Sequence, residues 1–177
     1  MKRFATIGLL LLTLQGIASA QDGGDIFAVY LVRHAERVSP STDPRNPPLS
    51  SCGERRARSL ATLFSDVELQ AVYSTAFERT LGTARPTADS KGLQIENYDP
   101  GNLEALAKLL INRGQDALVV GHSNTTGVLA GLLGGQEADT VTESEFDRMY
   151  QVIFANGRTR LYRWRQAFRC PQRDRAD

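Results

Sequence analysis

Histidine is scarce in this chain, and both of its copies sit where chemistry is easiest to build. Among 177 residues there are two, His34 and His122. Arg33-His34-Ala35-Glu36-Arg37 follows the apolar run Ile26–Val32, and Gly121-His122-Ser123-Asn124 follows Ala117–Val120. Ser74-Thr75 closes the run Ala71–Ser74, with Arg79 on the first turn of the next helical pattern, and Tyr98-Asp99 closes Leu93–Tyr98. Guanidiniums match phosphate oxygens in pairs, and a helix N-terminus favours anions. An imidazole in such surroundings can attack phosphorus in line and carry the phosphoryl group, while arginines neutralise the transition-state charge. Taken singly, each residue has a plainer account. Arg33-His34 fits a solvated strand end, His122 a core histidine bonded to backbone, and Arg79 a surface charge. Their joint occurrence at strand ends favours a phosphate pocket.

The elements that must position these groups alternate. Ile26–Val32, Ala71–Ser74, Leu93–Tyr98 and Ala117–Val120 are apolar, β-rich runs of the kind buried on both faces. Between them, Gly53–Phe64 and Phe77–Ala88 carry apolar residues at helical spacing. Gly82 and Pro86 predict a weak or kinked second helix. Asn102 caps a third helix, with Leu103, Leu106, Leu109 and Leu110, and Val128, Leu129, Leu132 and Leu133 mark a fourth that stops at Gly134-Gly135. Thr142-x-x-Glu145 has the spacing of a capping box and predicts a short helix. Gln151–Phe154 and Thr159–Trp164, joined through Asn156-Gly157, read as a hairpin. Ser39–Pro48 holds four of the seven prolines and reads as a loop, a cover for the pocket or a passive connector. The expected fold is an α/β three-layer sandwich, its central sheet mostly parallel and flanked by helices. Ligands of such sheets bind beyond the carboxyl ends of the strands.

Composition narrows the rest. A net charge of +1 gives no general pull toward nucleic acid. With two histidines and two cysteines and no CxxC, HxH or HExxH spacing, no metal or other cofactor is expected. Lys2 and Arg3, an apolar run Ile7–Leu14 and Ala18-Ser19-Ala20 read as a signal peptide over 1–20. The apolar run is too short to span a bilayer comfortably, and no other segment qualifies. The organisation expected is therefore a signal peptide (1–20), one domain (21–168) and a loose polar tail (169–177), in a protein exported to the periplasm or secreted. In an oxidising compartment Cys52 and Cys170 either bridge, closing a loop worth about 4–5 kcal/mol, or remain two thiols. Five acids in 137–147 and five arginines in 158–169 are either two solvated surfaces of opposite sign or a basic hairpin that meets an anionic surface or substrate.

Four segments in order resemble the histidine phosphatase superfamily, the phosphoglycerate mutase-like enzymes. Leu31-Val32-Arg33-His34-Ala35-Glu36 is similar to its Arg-His-Gly/Ala signature, and Leu49-Ser50-Ser51-Cys52-Gly53 to its Leu-Ser/Thr-x-x-Gly segment. Val72–Thr80, followed by Thr83-Ala84, resembles its Tyr-Ser-Ser/Thr-Pro-x-x-Arg block, with Ala76 where proline is usual. Val119–Ser123 resembles its second-histidine motif. The resemblance implies a small single-domain phosphatase in which His34 becomes phosphorylated and Arg33, Arg79 and His122 complete the phosphate site. Arg37 occupies a position that binds phosphate in one branch. The general acid falls to Asp99, with Glu36 second, although Asp99 also suits a turn before Pro100-Gly101. The expected reaction is hydrolysis of a phosphomonoester or phosphoramidate, on a phosphorylated small molecule or a phosphoprotein, through phosphohistidine. The alternative is a non-catalytic phosphate- or phosphoprotein-binding module on the same fold.

Overall fold

The computed structural model describes residues 26–137 and 139–170. The expected signal peptide and the last seven residues of the tail lie outside the described residues. A six-stranded sheet runs in the order β3-β2-β4-β1-β5-β6. Its members are β1 (Phe27–Arg33), β2 (Ala71–Ser74), β3 (Ile95–Asn97), β4 (Ala117–Gly121), β5 (Arg148–Ala155) and β6 (Arg158–Arg165). The first four pair in parallel, and β5 and β6 join antiparallel beside β1. The helices are α1 (Ser51–Leu63), α2 (Glu78–Lys91), α3 (Leu103–Arg113) and α4 (Ser123–Gly134).

Period-two alternation sorts each strand between two cores. Val29, Leu31, Tyr73 and Val119 pack with Leu106 and Leu110 of α3 and Leu129 and Leu133 of α4. Val32, Val72, Leu118 and Val120 pack with Leu60 and Phe64 beside α1 and Ala84 and Ala88 of α2. The result is three layers, helices on both faces of a mostly parallel sheet. The hairpin turns through Asn156 and Gly157, both at positive φ (52° and 70°), as a tight two-residue turn requires.

Three details depart from the sequence expectations. Helix α2 runs on through Pro86 to Lys91. Its buried Thr80, Thr83, Ala84, Thr87 and Ala88 give it a packed face that outweighs one missing backbone bond. No helix forms after Thr142; the segment makes only a turn, closed by the Glu145 amide on the Thr142 carbonyl at 3.0 Å. The carbonyls a helix would need are engaged elsewhere, since Arg33 Nη1 donates to those of Thr142, Glu143 and Glu145. The tail is anchored at its start, because Cys170 is bridged to Cys52 and Arg169 pairs with Asp147 at 2.6 Å.

The two oppositely charged segments meet each other. Asp139 binds Arg148 and Arg163, Glu145 binds Arg148 and Arg165, and Asp147 binds Arg165 and Arg169. No helix among the described residues is long and apolar enough to cross a membrane.

Candidate active site

Strand register brings the histidines together. Arg33 pairs with Gly121 across β1 and β4, so the next residue on each strand is a histidine. The His34 amide donates to the Gly121 carbonyl at 2.9 Å, and the Ala35 amide to Thr83 Oγ1 of α2 at 2.9 Å. The imidazole centroids lie 5.6 Å apart, tilted by 67°. Gly121 is needed there, because an added Cβ would sit 2.8 Å from Tyr98 Oη and 2.9 Å from Thr125 Oγ1. Gly53 answers a second close approach, since a Cβ on α1 would lie 2.0 Å from the Glu36 carbonyl oxygen.

The hydrogen bonds fix which imidazole nitrogens are free. His34 Nδ1 lies 2.8 Å from the Ala35 carbonyl, an acceptor, so Nδ1 carries the proton. Neutral His34 then holds its lone pair on Nε2. His122 Nε2 lies 3.0 Å from Thr75 Oγ1, which lies 2.8 Å from Thr80 Oγ1. Thr80 donates to the carbonyls of Thr75 and Phe77 at 3.0 and 2.9 Å. Each hydroxyl has one proton, so Thr75 donates to Thr80 and accepts from His122 Nε2–H. His122 Nδ1 therefore keeps its lone pair, and it faces the Thr125 backbone amide in the capping box that opens α4.

Cations surround the pair. Arg33 is 2 % exposed, stacks on Phe146 with its guanidinium carbon 4.3 Å from the ring centroid, and bonds Glu143 through Nη2 at 2.8 Å. Its Nε is a buried donor without a partner. Arg79, on the first turn of α2, stacks on Phe77 at 4.4 Å, and Phe77 meets His122 edge-on. Burial pushes both guanidinium pKa values down. Burial also lowers His34 to about 3, helped by Arg33, Arg79 and His122 against the Ala35 carbonyl. His122 falls to about 4, from burial first, then Arg79 and Arg33, with Glu143 opposing. Both rings are neutral near pH 7, so His34 keeps its lone pair.

These groups share a cleft of about 550 Å³, which Arg37 also lines. The proline-rich loop contributes Pro44, Arg45 and Pro47 to its wall, and Arg79 Nη1 reaches the Arg45 carbonyl at 3.5 Å. The two carboxylates expected as acids are placed elsewhere. Asp99 is exposed, does not line the cleft, and accepts the Gly101 amide at 2.8 Å, which is a turn-capping role. Glu36 binds Arg56 Nε and Nη2, lies 2.9 Å from Cys170 Sγ, and lines a separate cleft of about 530 Å³. Glu36, Cys52 and Cys170 are the one group of potential metal ligands among the described residues, but the two sulfurs are bonded to each other.

Glu143 was not legible as a site residue. Among the described residues it is the only acid lining the histidine cleft. Its carboxylate bridges Arg33 and the Ser123 hydroxyl at the start of α4. The Ser123 hydrogen bond holds its pKa below the usual glutamate value, with Arg33 and His34 adding to the effect against burial. The only sequence signal was its place in an acidic run, which says nothing of the turn that brings it to β1.

The family model of the histidine phosphatase superfamily (branch 1) matches residues 29–100. No curated protein sequence matches the chain. Three solved structures illustrate the fold. The protein histidine phosphatase SixA, complexed with tungstate, is 21 % identical with a TM-score of 0.65, covering 79 % of this chain and 97 % of its own. The α-ribazole phosphatase of Shigella flexneri is 16 % identical with a TM-score of 0.66, covering 82 % of this chain and 100 % of its own. A phosphoserine phosphatase of Entamoeba histolytica is 14 % identical with a TM-score of 0.60, covering 80 % and 97 %.

Proposed function

From a chain whose residues 29–100 match the family model of the histidine phosphatase superfamily, branch 1, we propose a phosphatase that hydrolyses a phosphomonoester or phosphoramidate through a phosphohistidine at His34. One observation carries this reading: the Ala35 carbonyl holds His34 Nδ1 and leaves a neutral Nε2 as nucleophile in a cleft walled by Arg33 and Arg79.

The steps follow from where the protons are. Substrate phosphate enters between Arg33, Arg79 and His122, and Arg37 adds charge at the rim. The partnerless Arg33 Nε gains an acceptor there. His34 Nε2 attacks phosphorus, the P–O or P–N bond to the leaving group breaks, and the guanidiniums offset charge on the equatorial oxygens. His122 lines the seat beside Arg79, and the dianion raises its pKa as it binds. Water then attacks phosphorus, the N–P bond breaks, and neutral His34 is restored.

Phosphorylated proteins and phosphorylated small molecules are both substrates among the similar structures, and the open cleft admits either class. Export to the periplasm or outside the cell is supported by the N-terminal residue pattern and by a disulfide, which persists in oxidising compartments.

The test is chemical. Incubation with a radiolabelled phosphodonor labels the wild-type protein with an acid-labile, base-stable phosphate, and His34→Ala removes both the label and p-nitrophenyl phosphate turnover. Label retained in His34→Ala overturns the nucleophile assignment. Phosphate binding without turnover on a broad panel favours a binding module.

A further inference from the structure

We propose that Glu143, carried on the turn between α4 and β5, is the acid that protonates the leaving group in this cleft. The inference rests on the phosphatase reading above and supplies the proton donor that Asp99 and Glu36 do not.

Position comes first. The turn is not free to wander, because Arg33 Nη1 holds the carbonyls of Thr142 and Glu143 at 2.9 and 2.7 Å. Phe146 of the same segment lies over Arg33, with its ring centroid 6.2 Å from that of His34. Farther along, Asp147 is gripped by Arg165 and Arg169, each at 2.6 Å. This braced turn delivers one carboxylate to the cleft. The side chain itself is 76 % exposed, and among the described residues it is the only carboxylate lining the cleft.

Charge comes second. In the free protein Glu143 is an anion, held by Arg33 Nη2 and Ser123 Oγ. Arg33, His34, Arg79 and His122 are the charged or titratable groups that act on it or on which it acts. A phosphate dianion entering this site competes for Arg33 and repels the carboxylate. Both effects raise its affinity for a proton at the moment substrate is bound. A substrate monoanion brings that proton with it.

The step then balances. As the His34 Nε2–P bond forms, the P–O bond to the alkoxide breaks, and the alkoxide takes the Glu143 proton to leave as alcohol. In the second half, the carboxylate takes a proton from the attacking water, its oxygen bonds phosphorus, and the N–P bond breaks. Ester and water become alcohol and phosphate, with Glu143 protonated again.

A leaving-group series tests this. For wild type, kcat/KM, which reports transfer to His34 whichever half is slower, depends weakly on leaving-group pKa across aryl and alkyl phosphates. For Glu143→Gln, kcat/KM on an alkyl phosphate falls roughly 10²–10⁴-fold, the usual worth of a general acid, while that on 2,4-dinitrophenyl phosphate falls less than about fivefold. Glu143→Asp keeps a carboxyl and the shallow slope. Thermal melts establish that each variant is folded. If Glu143→Gln lowers every substrate by one common factor, the residue merely positions Arg33 and the proposal is overturned. A gain or no change makes Glu143 a plug on the phosphate seat, which also overturns it. A wild type that turns over neither a phosphate ester nor a phosphoramidate defeats the phosphatase reading instead.

Discussion

Cutting the bond between Cys52 and Cys170 should expose how much of this small domain depends on one covalent tie. The cysteines are 118 residues apart in sequence and their Cα atoms 5.8 Å apart. In the chain-entropy account, closing a loop of 118 residues removes about 16 cal/mol/K from the unfolded ensemble, or about 4.9 kcal/mol at 25 °C. For a domain of this size, each kcal/mol moves the midpoint by about 2–4 °C, so the expected loss in Tm is about 10–20 °C. Equilibrium urea unfolding, followed by tryptophan fluorescence with and without reductant, measures it. Reduced wild type is the clean comparison, since Cys52 is fully buried and Cys52→Ala would add a cavity cost of its own. The double alanine variant should lose its sensitivity to reductant. A difference between oxidised and reduced wild type below about 1 kcal/mol would refute the reasoning, because the tail would then be held by its other contacts. Those are the Arg56 bond to the Phe168 carbonyl at 3.3 Å, the Gln166 amide bond to the Asp147 carbonyl at 2.9 Å, and the Arg169–Asp147 pair.

Four more outcomes follow from the same geometry. With two histidines in the chain, a histidine-selective NMR titration reads His34 and His122 alone. Neither should protonate in the free protein above about pH 5, because burial and the arginines hold them near 3 and 4; a midpoint near 6.5 in either would contradict this. Since both folded values lie below that of a free imidazole, the unfolded chain takes up protons first. Stability is fully present above about pH 6.5 and falls as pH drops toward 4, and His34→Asn with His122→Asn should flatten that slope. Replacing Arg33 by lysine removes the planar fork and should lower kcat/KM roughly 10²–10³-fold, as measured by initial rates; a loss under tenfold would mean Arg33 is not at the phosphate. Gly53→Ala puts a methyl group on the Glu36 carbonyl and should cost about 3 kcal/mol in urea unfolding, with near-neutral behaviour counting against the close approach.

The sequence disclosed what depends on periodicity and on strand ends. The continuous apolar runs of β1 and β4 predict strands buried on both faces, and their parallel pairing places His34 and His122 at one edge of the sheet. Gly53 explains itself in the structure as the residue that lets α1 touch the Glu36 backbone. The acid expected from the sequence is Asp99, which does not line the histidine cleft. Asp99 has the right position along the chain, but its carboxylate is spent on the Gly101 amide two residues on. Glu143 depends on contacts more than a hundred residues apart in sequence, between Arg33 and the Thr142 and Glu143 carbonyls. Those acceptors belong to the backbone, so no residue type announces them. The acidic and basic segments had only two readings, solvated or ligand-binding, whereas the hairpin folds them onto each other.

Arg33 grips the turn by three main-chain carbonyls and by one side chain, Glu143, so its hold is indifferent to the side chains of the other turn residues. Thr142 and Ser144 are exposed there, one on each side of Glu143 in sequence, and Ser144 lines the neighbouring cleft. Substitutions at those two places can therefore retune what the rim recognises while the arginine stays seated. A library confined to them should yield proteins that differ in which esters they prefer yet bind inorganic phosphate alike.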